Sequence, residues 1–572
     1  MTKTRKMVRT IRKISRIRNN ATGTYLEVIE FKVSKRGVDR LQLSPSTVSD
    51  LRAFAKVLRD AGAILPKDDD ELKELLSAVA KSDAPKERVY EARTGWTQDE
   101  KAFVLVDRVI GQSASKIIGV HRANSIKDPS GLLANSGTWK SWRDAVAEPA
   151  RLSTTLMLCI SAALAAPLLA IINRPSFTIC LFGRTRVGKS VATLMGASVI
   201  GVAKPAGLIT WNITDARLEE RISEFNDTLF PIDDLSNLEG SNKTKYQRMR
   251  DIAYKLSQGW SMGRHSSFTA SRGAMHDSWR SIALTSSEKS IRDLAQEVRL
   301  DRQHGEALRL IDVPAAFDGL DHIFDRLPED WNEGAFEDWK KQTFKNIVDA
   351  CANNHGKAFR KYIKSLLADE AEVKDRVQKR IAYFVRQVCD EYDGNVARDV
   401  AEKFGLIYAA GILGIRCGLL PWEKQDLLLA ITKCYFAARD LLPDDGVAIR
   451  QGIMALRTKL RELPNASGKR AAKIDFDKVD GFCEREKEVN RHVIRRDAFN
   501  SIFGSDIQRA LVVERLIMKQ RVTLATSKAS TGAPSPKPKG QHKWPDGERR
   551  RSFEIIFPLG EKKRKRPAKK AE

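Results

Sequence analysis

The chain has 572 residues, 99 Lys and Arg against 73 Asp and Glu, a formal charge of +26, and 42% hydrophobic residues. That length is too great for one hydrophobic core and implies two to four domains. The composition excludes a disordered chain, and the charge points to a polyanion partner, nucleic acid first, with plain solubility as the bland alternative.

Residues 1–22 open with MTKTRKMVRTIRKISRIRNN, which has no acid and no apolar core. This excludes a secretory signal and reads as a disordered basic arm that touches nucleic acid; a transit peptide is the alternative. Residues 23–126 read as an N-terminal α+β domain. It has a strand at 24–33, helices at 45–63 and 69–81, and a hairpin whose arms, 88–93 and 103–106, bracket TGWTQDEKA; Trp96 there reads as a packing residue. A Gly/Ser/Asn connection follows at 131–142. Residues 153–172, STTLMLCISAALAAPLLAII, are about long enough to span a bilayer. Their Ser, Thr and Pro, and their run into the next strand, predict a buried helix instead, and no membrane association.

From Ser176 short apolar strands alternate with helices: 177–182, 207–211, 228–232 and 281–285. This predicts an α/β core over 127–334. Residues 335–450 read as a helical lid region, with apolar faces such as 396–413. In residues 467–558 a helix-rich stretch, 491–521, leads to a strand, a Lys/Gly/Pro/Ser loop at 527–547 and a last strand at 551–557. That order, in a basic context, resembles a winged helix. Residues 559–572 are a basic tail. The seven cysteines form no CxxC pair, which predicts buried thiols in a reducing, cytoplasmic setting, with no zinc site or disulfide framework.

The chemistry concentrates in the core. Gly183, Arg184, Thr185, Arg186, Val187, Gly188, Lys189 and Ser190 match GxxxxGK[ST], the P-loop, after a strand and before a helix. Glycines let backbone N–H groups curl around phosphate oxygens, and the helix that follows presents its positive end. Lys189 would reach the β/γ-phosphates of ATP and the Ser190 hydroxyl would hold Mg²⁺. Downstream, DTLFPIDDL ends an apolar strand in two aspartates: Asp233 is the candidate metal carboxylate and Asp234 the group that polarises water. Pro231 is unusual inside a strand. Thr285 or Ser286, at the end of the next strand, is placed to sense the γ-phosphate. Residues 259–279 between those strands carry Arg264, His265 and Arg272 and read either as a DNA-contacting hairpin or as an ordinary surface loop. Arg309 and Arg398 could each supply a cationic contact to the γ-phosphate, or form surface salt bridges.

The ordered run LFGRTRVGKS, Trp211-Asn212, FPIDDLSNL, YKLSQGWSMGR, WRSIALTSSEKS and GEALRLIDVPA resembles the domain-of-unknown-function 927 family of mobile elements and prophages. The likeness extends to TGWTQDEKAFVLVDRVIG, GTWKSWRDAVAEP and CISAALAAPLLAI upstream, and to VARDVAEKFGLIYAAGILGIRCGLLPW downstream, covering about residues 85–440. It implies an MCM-like AAA+ core, and so a multidomain protein with an AAA+-like P-loop core. It further implies a homo-oligomeric ring, a hexamer in preference, that acts on DNA as a replicative helicase alongside a primase or other replication proteins. By position, Lys189 and Ser190 bind nucleotide and Mg²⁺, Asp233 and Asp234 are the Walker B pair, Thr285 or Ser286 is sensor one, and Arg309 and Arg398 are inter-subunit or sensor-two arginines. Asp234 departs from the family's usual Glu. Two readings follow: a DNA helicase, or an ATP-dependent regulatory or defence oligomer that binds DNA without unwinding it. Intact Lys189, Ser190 and Asp233 count against a third, a DNA-binding protein with a degenerate pocket.

Overall fold

The computed structural model describes residues 11–19, 23–33, 37–84, 87–90, 94–105, 108–112, 117–118, 134–260, 278–327, 336–390, 393–443, 445–485, 489–523 and 540–558. The chain divides into two compact units: Met1–Val388 with Asp399–Leu441, and Cys389–Arg398 with Leu442–Glu572.

In the first unit, Ile11–Asn19 is a strand, β1, and not the disordered arm its charge suggests. The reason lies in alternation. Ile11 and Ile17 are buried, while Arg12, Arg16 and Arg18 point to solvent. Lys13 is buried against the equally buried Glu27 at 2.5 Å. β1 pairs antiparallel with β2 (Tyr25–Lys32), which pairs with β3 (Val38–Leu43). On its other side β1 runs parallel to β4 (Glu87–Tyr90), and β4 parallel to β8 (Ile117–Ile118). Three helices, α1 (Pro45–Ser49), α2 (Leu51–Asp60) and α3 (Asp69–Lys81), contribute Val48, Phe54, Leu58, Leu72 and Leu76 to a core shared with Ile29 and Phe31. The single helix expected at 45–63 is two, because the Asp50 side chain accepts from the Arg52 and Ala53 N–H groups and so caps a new start.

The expected hairpin exists with other arms. β5 (Gly95–Trp96), β6 (Ala102–Val104) and β7 (Val109–Gly111) form their own antiparallel sheet, while β4 joins the first one. This small sheet is fixed to the core. The Trp96 indole donates to Pro167 O at 2.9 Å and the Trp96 N–H to Asp227 Oδ2 at 3.0 Å. The region read as one N-terminal domain is thus shared between two sheets.

After α4 (Trp139–Trp142) comes α5 (Thr154–Ala165), buried at every residue. No described helix is long and apolar enough to cross a membrane. A short helix, α6 (Leu168–Ile171), leads to the core sheet of β9 (Phe177–Phe182), β10 (Thr228–Asp234), β11 (Ser281–Ser287) and β12 (Leu310–Pro314). All four are parallel, in the order β10-β11-β9-β12. Burial of every β11 residue is what a parallel sheet covered on both faces requires. α7 (Lys189–Ile200) follows β9 and packs on α5. The strand expected at 207–211 is reduced to one bridge, Ile209 to Ile232 beside β10. α8 (Asp215–Glu224), α9 (Asn242–Gln258), α10 (Ile291–Glu297) and α11 (His304–Ala307) complete the core connections. The expected helical region is α12 (Phe336–Asn353), α13 (Lys357–Ala368), α14 (Glu370–Val388), α15 (Asn395–Arg416) and α16 (Lys424–Arg439).

The second unit holds α17 (Asp445–Glu462), α18 (Arg496–Asn500) and α19 (Asp506–Met518) with an antiparallel sheet. Its strands are β13 (Gly481–Arg485), β14 (Val489–Arg495), β15 (Gln541–Lys543) and β16 (Arg549–Pro558), in the order β13-β14-β16-β15. Leu456, Leu460, Ile494, Val512, Leu516 and Ile555 form its core. The stretch 491–521, expected to be helical, opens as β14, where Val489, Val493 and Ile494 favour a pleated strand. Two helices, a Val522–Ile555 bridge and the β15–β16 hairpin follow. Most of the expected 527–547 loop lies outside the described residues, and its last part forms β15 and the turn at Gly547.

Candidate functional site

Parallel strands deliver their carboxyl ends to one edge of a sheet, and the loops leaving them share a surface there. The register aligns those ends: Ser286 lies opposite Leu181 on one side and Asp234 on the other. The loop 183–190, the aspartates of β10 and the polar end of β11 therefore converge.

The loop is held from both sides. The Gly183 N–H donates to Ser287 O at 3.1 Å, extending the ladder, and the Ile323 N–H donates to Val187 O at 3.1 Å. The Thr185 hydroxyl donates to the Glu288 carboxylate. Gly188 has a φ of +112°, and a Cβ there would lie 2.8 Å from the Phe344 ring and 2.9 Å from Ile323. Conformation and space both demand glycine. Arg186, at φ +68°, takes the left-handed conformation without being glycine, the kind of strain that marks functional loops. No side chain caps α7, so its first-turn N–H groups face the loop as an anion-favouring end.

Lys189 is 5% exposed. Its ammonium donates to Gly183 O at 2.7 Å and Arg184 O at 3.2 Å, and lies 3.7 Å from Asp234 Oδ2. Ser190 is exposed on the first turn of α7. The Asp233 side chain lies outside the described residues, although its backbone is the penultimate residue of β10. Pro231 is tolerated because β10 is the outer strand of the core sheet. Thr285 and Ser286 differ in surroundings. Thr285 is fully buried and its hydroxyl accepts from the Trp211 indole at 3.0 Å, whereas Ser286 stands in register with Asp234.

Behind the site, the Asp312 carboxylate accepts from the Ile291 and Arg292 N–H groups at the start of α10, and from Arg302 at 2.6 Å. Burial pushes the Asp312 carboxyl above the usual range against the opposing pull of Arg302.

The remaining expected residues lie elsewhere. Arg309 precedes β12 and bonds to Ser257 and Gly305, at the end of the sheet opposite the glycine-rich loop. One strand length, roughly 17 Å, separates it from that loop, so it does not contact a group bound there on its own chain. Arg398 belongs to the second unit, where it donates to Asp393 O at 3.2 Å and Asp390 O at 2.9 Å. Arg264, His265 and Arg272 lie outside the described residues. The residues that flank them in the chain are described: Trp260 bridges Ser278 antiparallel, the Trp279 N–H donates to Gly259 O at 2.8 Å, and the Trp279 indole donates to Leu256 O at 3.1 Å. Sequence reading did not single out Glu288, Ile323 and Phe344 as partners of the loop, since more than a hundred residues separate each from its contact.

Residues 2–275 match the model of the domain of unknown function 927 family. The match takes in β1, β2 and β3, which the sequence resemblance left out, and ends before β11. No curated protein matches the chain. Its fold is similar to that of a solved structure described as "SCCmec type IV Cch - active helicase". That chain is 17% identical, the similarity covers 96% of this chain and 93% of that one, and the TM-score is 0.55. The shared feature is a multidomain α/β architecture with a parallel sheet.

Proposed function

We propose, on the premise that residues 2–275 belong to the domain-of-unknown-function 927 family, that the chain is an ATP-dependent AAA+ ring ATPase acting on DNA, a helicase or translocase of a mobile element or prophage. The observation that carries this reading is the strand order β10-β11-β9-β12. It inserts a strand with a polar end between the strand bearing the glycine-rich loop and the strand bearing the aspartates. A γ-phosphate held by the loop would meet both.

In this reading the N–H groups of Gly183 to Gly188 and of the start of α7 take phosphate oxygens. Lys189 turns from its carbonyl partners to the β/γ-phosphates. The exposed Ser190 hydroxyl and Asp233 hold Mg²⁺, which when bound supplies charge neutralisation on the phosphates. Asp234 polarises the attacking water, one methylene shorter than the family's Glu. Ser286 is the sensor, and Thr285 positions it through Trp211. Arg309 or Arg398 acts from another copy in a homo-oligomeric ring. Arg264, His265 and Arg272 contact DNA from the hairpin tip, and the second unit grips it in the manner of a winged helix, with the basic ends adding charge.

The test is ATPase activity with and without single-stranded DNA, for the wild type and Lys189→Ala. Activity that DNA stimulates in the wild type and that Lys189→Ala abolishes is expected. No activity in the wild type sinks the ATPase reading. Activity indifferent to DNA sinks the translocase reading, and a strand-displacement assay separates helicase from regulator.

A further inference from the structure

Arg309 does not reach the site above on its own chain. Its carbonyl accepts from the Thr178 N–H at 2.8 Å, at the amino end of the sheet. Its guanidinium donates to Ser257 Oγ at 2.8 Å and Gly305 O at 2.6 Å, and lies 4.7 Å from the centre of the Tyr254 ring. These partners are a hydroxyl, a carbonyl and a ring. They orient the charge without cancelling it.

Arg309 lines a cavity of about 250 Å³. Its floor is apolar, with Leu169, Ile172, Phe177, Ile381 and Leu406. Its lining carries two more cations, each with its own carboxylate: Arg174 with Glu402 at 2.6 Å, and the mostly buried Lys403 with Asp399. Burial pulls the Lys403 ammonium below the ordinary lysine value, against the opposing pull of Asp399. The cations Arg174, Arg309 and Lys403 outnumber the carboxylates Asp399 and Glu402, and the excess charge is that of Arg309. An apolar hollow with few oriented polar groups is the usual form of a small-molecule site, and this volume lies near the lower end of the range, about 300 Å³.

We propose that this cavity is a second ligand site for a small amphipathic anion, whose apolar body lies on Leu169, Phe177 and Leu406 and whose single carboxylate, sulfonate or phosphate is held by Arg309. The site has a structural consequence. α15 supplies Asp399, Glu402, Lys403 and Leu406, while β9 supplies Phe177. A ligand there ties the helical layer to the strand whose other end carries the glycine-rich loop, and stabilises that packing in proportion to its occupancy.

The probe is 8-anilinonaphthalene-1-sulfonate, with neutral N-phenyl-1-naphthylamine as its uncharged counterpart. Both are titrated by equilibrium dialysis and fluorescence against the full chain, Arg309→Met and Glu402→Gln. One saturable site for the sulfonate is expected. Arg309→Met weakens it about tenfold, the loss of one charged hydrogen bond. Glu402→Gln strengthens it, because Arg174 loses its carboxylate. Neither change alters the affinity of the neutral compound. Sulfonate affinity equal in all three chains, or no saturable binding to the wild type, overturns the proposal. If Arg309→Met melts before the wild type and cannot be titrated, Glu402→Gln decides alone, since that half-exposed side chain sits at the rim; unchanged affinity there is equally fatal. Lys189→Ala binds the probe as the wild type does, so a failed ATPase reading leaves this test standing.

Discussion

Lys189 and Asp234 stand 3.7 Å apart at the mouth of the glycine-rich loop, and the proposed chemistry rests on what each does there. Replacing Asp234 with Asn keeps size and removes charge. Hydrolysis is expected to fall about a hundredfold or more, with affinity for a fluorescent ATP analogue retained. Equal loss of both would make Asp234 a binding residue instead. Gly188→Ala tests the loop itself. The φ of +112° and the Phe344 ring 2.8 Å from a new Cβ predict a loss of about 1–3 kcal/mol, read as a lowered melting temperature; an unchanged melting curve contradicts the packing described. The loop was legible because GRTRVGKS is a local pattern with a local mechanism. The partners that hold it, Glu288, Ile323 and Phe344, were not, since nothing near them in sequence announces a contact with residues 183–190.

α5 and α16 illustrate the scale of elements. Asp325 accepts from the Thr154 N–H at 2.8 Å, at the start of α5, and from Lys433 of α16 at 2.8 Å. Burial would raise the Asp325 carboxyl, but the bonds from Lys433 and Thr154 outweigh it and hold the group below the usual range. A folded value below the unfolded one contributes stability at pH above the unfolded value, and that contribution is lost as pH falls through the folded value. Lys433→Met is therefore expected to melt below the wild type at pH 7, with the gap closing below about pH 4. A gap that is constant with pH would show that Lys433 acts only through packing. Among the expected elements, 177–182 and 69–81 fall on β9 and α3, where periodicity, capping and length agree. β1 was hidden because its Arg and Lys residues mask an alternation that only pairing with β2 makes visible.

For the whole molecule, the net charge of +26 is expected to make DNA binding steeply salt-dependent. Raising salt from about 50 to about 200 mM should weaken single-stranded DNA binding by about a hundredfold or more; a flat response counts against phosphate contacts as the main source of affinity. Arg264→Ala combined with Arg272→Ala is expected to abolish DNA stimulation of ATPase activity. Stimulation at the wild-type level would remove the hairpin from the proposal.

The sequence by itself determined the loop 183–190, the acidic strand after it, the buried character of α5 and the resemblance to the family whose model matches residues 2–275. Each is written in neighbouring residues, as a spacing, an apolar run or a motif. Only the tertiary structure decided the order β10-β11-β9-β12, the pairing of Ser286 with Asp234, and the removal of Arg309 from the glycine-rich loop to a cavity at the other end of the sheet. Those facts depend on which strands lie side by side and in which register. Backbone hydrogen bonds between distant segments set that arrangement, and no single segment of the chain carries it.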